Sequence, residues 1–209
     1  VILKPNMGGG NTVISRAKVI RAADRQALKT AFLDASAEIG AANVVVQELI
    51  PGGGESQFSY AALWLDGEPV AEFTARRARQ YPVDFGYTST CVEVVDNRQA
   101  IDAARTILKS AGHSGLVEVE FKFDSRDGAL KLLDVNPRPW SWFGLCSAAG
   151  IDLGALLWRT ANDLPVSQPL SVLQGVSWSY FVRDAVAAFT LSRRGKVDVG
   201  DYLASLGRI

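Results

Sequence analysis

Five side chains between residues 118 and 138 have the types and spacing to hold a hard cation against an anion. Residues 116–123 read LVEVEFKF, and alternation along a strand puts Glu118, Glu120, Lys122 and Asp124 on one face, with Val117, Val119, Phe121 and Phe123 on the other. The turn DSRDG and the stretch ALKLLDVN that follow complete a hairpin. Reflection about Asp127 sets Glu120 opposite Asp134, and the same parity carries Asn136 and Arg138 onto the charged face. Mg²⁺ takes oxygen ligands from one or two carboxylates and completes its shell with phosphate and water, so this set suits it. Arg138 then faces the anionic ligand, its backbone restricted by Pro137 and Pro139. DSRDG lacks the alternating acids of a calcium loop and reads as a turn.

The elements that must position this hairpin follow from periodicity. Residues 1–4 and 12–20 are rich in β-branched side chains and read as strands joined by the turn-forming PNMGGGN. Apolar residues from Ala22 to Ile39 recur at helical spacing, and Gly40 stands at the stop. VVVQELI (44–50) reads as a strand ended by PGGGES, SYAALWLDGEPVAEF as a hairpin turning at Asp66-Gly67, and residues 98–111 as a second helix. The tail from Trp140 is mainly helical, with SWSYFVRD (177–184) as one more strand. The expected architecture is α+β, with a seam near residues 50–56.

Composition narrows the function. The 22 basic and 22 acidic side chains balance, which argues against nucleic acid as the main partner. No apolar run approaches the roughly 20 residues of a membrane span, so a cytoplasmic protein is expected. Cys91 and Cys146 lack the spacing of a zinc or redox motif and are expected as buried free thiols, and His113 as a structural residue. Because VILK at the start already reads as a strand, the natural chain is expected to continue upstream.

Taken in order, VILKP with its glycine-rich loop, VVVQELIPGGGE, LVEVEFK and LLDVNPR resemble an ATP-grasp domain over roughly residues 1–160. The resemblance implies two α/β lobes that hold ATP between them. Residues 1–50 would be part of the small lobe, and residues 51–209 the large antiparallel-sheet lobe with its helical tail. It implies ligation of a small-molecule carboxylate to an amine through an acylphosphate, with ATP and Mg²⁺, or Mn²⁺ in its place. A homodimer is compatible with it. By position, Lys4 would reach the ATP phosphates and the loop containing Gly9 and Gly10 would cover them, since consecutive glycines let backbone amides cradle phosphate oxygens. Gln47, Glu48, Leu49 and Ile50 would meet adenine. Ile50 would donate to the ring nitrogen, because Pro51 has no amide hydrogen, and Gln47 or Glu48 would take the exocyclic amine. Glu55 would bind the ribose hydroxyls.

Glu120, Asp134 and Asn136 take the metal-ligand places, with Glu118 as the alternative to Glu120. Members more often have Glu where this chain has Asp134. Arg138 takes the place of the arginine that meets the transferred phosphoryl group. In ARRAR, alternation puts Arg77 and Arg79 on one face and Arg76 on the other, and Arg77 is the expected second arginine of the acylphosphate site. Two other readings share the ATP site: a nucleotide-binding module without chemistry, and a small-molecule kinase.

Overall fold

A computed structural model describes residues 1–6, 12–14, 19–86, 88–166 and 171–207. The chain divides into two compact units, Val1–Pro51 and Gly52–Ile209.

The first unit is built on an antiparallel sheet of three strands, β1 (Ile2–Pro5), β2 (Ile20–Arg21) and β3 (Val44–Gln47), in the order β2-β1-β3. Helix α1 (Arg25–Ile39) starts where the Asp24 carboxylate accepts from the Ala27 amide at 2.8 Å. It stops at Gly40, whose positive φ of 82° suits a residue without Cβ. Leu3 on β1 and Ala35 on α1 are buried. Of the strand expected at 12–20, residues 15–18 lie outside the described residues, Ile20 is on β2, and Val13 and Ile14 are helical. Ile14 is buried there and donates its amide to Glu38 on α1 at 3.4 Å, so tertiary contact overrides the β preference of branched side chains. The strand expected at 44–50 ends at Gln47. Gly8, Gly9 and Gly10 lie outside the described residues.

The second unit is built on a six-stranded antiparallel sheet in the order β8-β7-β4-β5-β6-β9. Its strands are β4 (Gln57–Leu65), β5 (Glu68–Tyr81), β6 (Thr88–Val95), β7 (Gly115–Asp124), β8 (Ala129–Asn136) and β9 (Ser177–Ser179). The β4–β5 hairpin turns at Asp66-Gly67, where Gly67 has φ of 81°. Helix α2 (Arg98–Ser110) packs Ala100, Ala104 and Leu108 against Tyr60, Trp64, Val117, Val119 and Phe121. The opposite face carries Leu63, Phe73, Val92 and Val94 under Trp142 and the short helices α3 (Leu145–Ala148) and α4 (Leu153–Ala161). Because both faces are covered, β4 reads as a nearly continuous apolar run instead of an alternating one. Phe123, on the apolar face of β7, is exposed.

Two helices close the tail, α5 (Phe181–Arg193) and α6 (Val199–Leu206). The strand expected through residue 184 ends at Ser179. Asp184, Ala187 and Ala188 are the buried positions of α5, and their helical spacing prevails over the alternation of SWSYF. Among the described residues no helix is long and apolar enough to cross a membrane, and both cysteines are buried.

Helix α5 is fixed by one buried ion pair. Arg79 Nε and Nη2 donate to the two Asp184 carboxylate oxygens at 2.8 and 2.7 Å, with side-chain exposures of 7% and 0%. Arg79 also donates to Ser205 Oγ on α6 at 3.0 Å. Asp184→Ala strands a buried guanidinium, and urea unfolding should show a loss of about 3–5 kcal/mol. Replacing both partners by apolar residues, Arg79→Met with Asp184→Leu, should recover most of it.

Candidate active site

The β7–β8 register brings Glu118 opposite Asn136 and Glu120 opposite Asp134. A register shift follows Glu120, where Phe121 pairs with Leu132, so the hairpin is not a simple reflection beyond that point. Glu118 is only 2% exposed. Its carboxylate accepts from Ser59 Oγ at 2.9 Å and from Asn136 Nδ2 at 3.3 Å. Burial, and then the negative charge of Glu120, push its pKa up to about 8.

Glu120 accepts from Arg77 Nη2 at 3.2 Å. The Arg77 guanidinium is held from its other side by Gln80 Oε1 at 3.4 Å and the Gly86 carbonyl at 3.3 Å. A Cβ at residue 86 would stand 2.3 Å from the Pro82 carbonyl oxygen, so the close approach of this loop needs glycine. The expected pairing of Arg77 and Arg79 on one face is corrected. Register shifts on either side of Arg79 set Arg77 across from Val92 but Arg79 across from Cys91, which face opposite ways. Arg77 therefore joins the carboxylates, and Arg79 turns to Asp184.

Arg138 donates to Asn136 Oδ1 at 3.2 Å and to the Pro139 carbonyl at 3.1 Å. It forms no ion pair among the described residues. Arg77, Glu118, Glu120, Asn136 and Arg138 all line one cavity of about 160 Å³. Thr88, Ser89 and Ser141 add hydroxyls to its wall, and Trp140 and Trp142 connect it to the core. Among the expected site residues of this unit, Asp134 does not line the cavity: it is exposed, and its Oδ1 accepts from the Val135 amide at 2.9 Å. Glu55 accepts from the Gly53 amide at 3.0 Å and borders a separate hollow beside Phe58 and Phe123. Lys122 donates to the Gly52 carbonyl at 2.7 Å.

In the first unit, Lys4 is half-buried on β1 opposite Val45, and Gln47 lies opposite Ile2. Glu48 is exposed, and Leu49 and Ile50 are half-buried beyond the strand. Gly9 and Gly10 are outside the described residues.

Among the described residues no three acids, histidines or cysteines form a metal-binding group. The donor chemistry nevertheless fits one hard cation: two carboxylates and an amide share the cavity, and their crowded negative charge is what a divalent ion neutralises. Sequence reasoning did not find Ser59, Gln80 or Gly86. The first is announced only by cross-strand register, and the other two only by the irregular end of β5.

Solved structures of the same fold include the ADP complex of N5-carboxyaminoimidazole ribonucleotide synthetase, at 16% identity and TM-score 0.58, covering 82% of this chain and 43% of that one. The biotin carboxylase domain of Hydrogenobacter thermophilus 2-oxoglutarate carboxylase, with MgADP, ADP and bicarbonate, matches at 14% identity and TM-score 0.60 over 84% of this chain and 39% of that one. The L-amino acid ligase from Bacillus licheniformis matches at 17% identity and TM-score 0.52 over 77% and 38%. These likenesses establish the ATP-grasp fold, and the chain spans about two fifths of the structures it matches. More narrowly, the chain belongs to the family described as ATP-grasp in the biosynthetic pathway with Ter operon, which matches residues 63–182. No curated protein matches it.

The raised Glu118 pKa has a pH consequence. A carboxyl group whose folded pKa lies above its unfolded value of 4.5 stabilises the fold fully below that value, and the contribution is lost as pH rises through about 8. Without divalent cations, thermal stability should decline from about pH 5 and level off above about pH 8, and Glu118→Gln should flatten the profile. Differential scanning calorimetry across that range checks it.

Proposed function

We propose that the chain forms the nucleotide-binding and catalytic part of an ATP-dependent ligase that joins a small carboxylate to an amine through an acylphosphate. The supporting observation is the convergence of two buried or half-buried carboxylates, Asn136 and two arginines on one cavity in an ATP-grasp fold. In this reading residues 1–50 belong to the small lobe and 51–209 form the large one. Lys4, Gly9 and Gly10 act on the ATP phosphates, residues 47–50 on adenine, and Glu55 on ribose. Glu120 and Asn136 hold Mg²⁺, together with Glu118 or with Asp134 after a rotamer change. The bound cation would supply charge neutralisation at the phosphate oxygens. Soluble small molecules as partners fit a cytoplasmic enzyme.

The substrate carboxylate oxygen attacks the γ-phosphorus, and the bond to the β–γ bridging oxygen breaks to release ADP. The amine nitrogen then attacks the acyl carbon, the bond to phosphate breaks, and the amine gives up a proton. Arg138, without a carboxylate partner among the described residues, is available to the transferred phosphoryl group. Arg77, held by Gln80, Gly86 and Glu120, presents a guanidinium whose position is set before substrate arrives. Neither step needs a covalent enzyme nucleophile, so positioning and charge stabilisation carry the catalysis.

The test uses the intact protein that contains this chain. ATP consumption should require both a carboxylate and an amine, and hydroxylamine in place of the amine should trap a hydroxamate. Arg138→Met should lower kcat by about a hundredfold or more while nucleotide still binds. A nucleotide-binding module without chemistry is the second reading, favoured by Asp134 lying off the cavity. MgATP binding with no turnover on any carboxylate–amine pair would establish it, and a stable phosphorylated product formed without amine would mark a kinase.

A further inference from the structure

Helix α5 is apolar on two opposite sides, and only one of them is covered. Asp184, Ala187 and Ala188 are buried on the side that meets Arg79 of the sheet. At 3.6 residues per turn, Val182, Val186 and Phe189 fall within an arc of about 60° centred on the opposite side. All three are exposed, Val182 and Phe189 by 69% and 65%, as are Tyr180 and Phe181 at the start of the helix. The second tail helix repeats the pattern: α6 turns Tyr202 and Ser205 toward Arg79 and leaves Val199 and Leu203 exposed. An amphipathic helix packed on a sheet shows water its polar side. These two show it valine, phenylalanine and leucine.

Charge limits what the bare side of α5 can meet. From residue 171 to residue 197 the one acid is Asp184, buried and paired with Arg79, whereas Arg183, Arg193, Arg194 and Lys196 are exposed. Arg194 is taken by Asp84 at 2.8 Å, and the other three bases have no carboxylate partner among the described residues. The Arg193 guanidinium lies 6.0 Å from the centre of the Phe189 ring and that of Arg183 5.0 Å from the centre of the Tyr180 ring, so cationic heads border the apolar side chains. The next acids in the chain, Asp198 and Asp201, belong to α6. Asp198 caps that helix, and Asp201 lies on the side away from Val199 and Leu203.

A second copy docking through α5 would set these bases against themselves, a like-charge contact with no acid to relieve it. A partner helix would find a stripe only two turns long, about 10 Å, where helical pairing is sustained over three or four heptads. A fluid anionic surface meets neither obstacle: it moulds itself to a narrow ridge, and its phosphates pair with the flanking bases.

We infer that the outer side of α5 docks the protein on an anionic lipid bilayer. Val182, Val186 and Phe189 enter the boundary between headgroups and acyl chains, while Arg183, Arg193 and Lys196 meet the phosphates. The attachment is peripheral. It goes beyond the ligase reading and does not rest on it, since none of these residues lines the carboxylate cavity.

The test mixes the intact protein with vesicles of phosphatidylcholine containing about 30% phosphatidylglycerol, at about 0.1 M salt, and reads the fraction that pellets. The protein should pellet with these vesicles but not with phosphatidylcholine alone, and about 0.5 M salt should release it. Val186→Ser with Phe189→Ser should abolish binding. Arg193→Gln with Lys196→Gln should weaken it roughly twenty- to thirtyfold, about fivefold for each charge. All four positions are exposed, so both variants should keep the parent's melting temperature, and should one of them unfold, the other decides. Absence of pelleting, equal pelleting with neutral vesicles, or binding that survives both pairs of substitutions overturns the inference. A lipid-free dimer that Phe189→Ser dissociates, seen by sedimentation velocity, would assign the face to a second copy and overturn it as well.

Discussion

The site depends on holding two glutamates of one strand side by side in a place water barely reaches. Glu118 and Glu120 share a face of β7, and the repulsion between them is offset by Ser59 and Asn136 on one side and Arg77 on the other. Every other feature of the cavity is arranged around that constraint. β4 and β8 flank β7 and supply the neutral donors, whereas the cation comes from β5, one strand further away. The charge is balanced across four neighbouring strands, so the sheet has to be rigid for the balance to hold. That rigidity comes from its two buried faces.

The irregular end of β5 is the second determinant. Regular alternation would put Arg77 and Arg79 side by side and bring two positive charges to the same carboxylates. The register shifts instead divide their duties. Arg77 serves the cavity, and Arg79 anchors the tail helices through Asp184. One short segment thus ties the polar cavity to the packing of residues more than 100 positions away in the chain.

Much of this was legible in the sequence because β7 alternates cleanly. The period of two, together with a short turn at Asp127, was enough to place Glu118, Glu120 and Asn136 on one face. What stayed hidden has a common physical cause. Bulges leave no local signature in residue type, so the separation of Arg77 from Arg79 could not be read. The helical state of Ile14 reflects burial against α1, and that of residues 181–184 reflects the pull of Asp184 toward Arg79, both of them contacts between distant positions. The lobe assignments and nucleotide contacts came from the resemblance and not from periodicity, and they remain part of the proposed function.

The β7–β8 hairpin also sets which kinds of genetic change the protein can absorb. Its connecting residues 125–128 are exposed and touch neither core cluster, so relatives can lengthen or shorten that tip with little effect on the carboxylates. A single-codon insertion or deletion inside β7 would exchange its two faces, sending the acids into the hydrocarbon beneath α2 and Val117 and Val119 into the polar hollow. Drift in length should therefore collect at the tip and be absent from the strand.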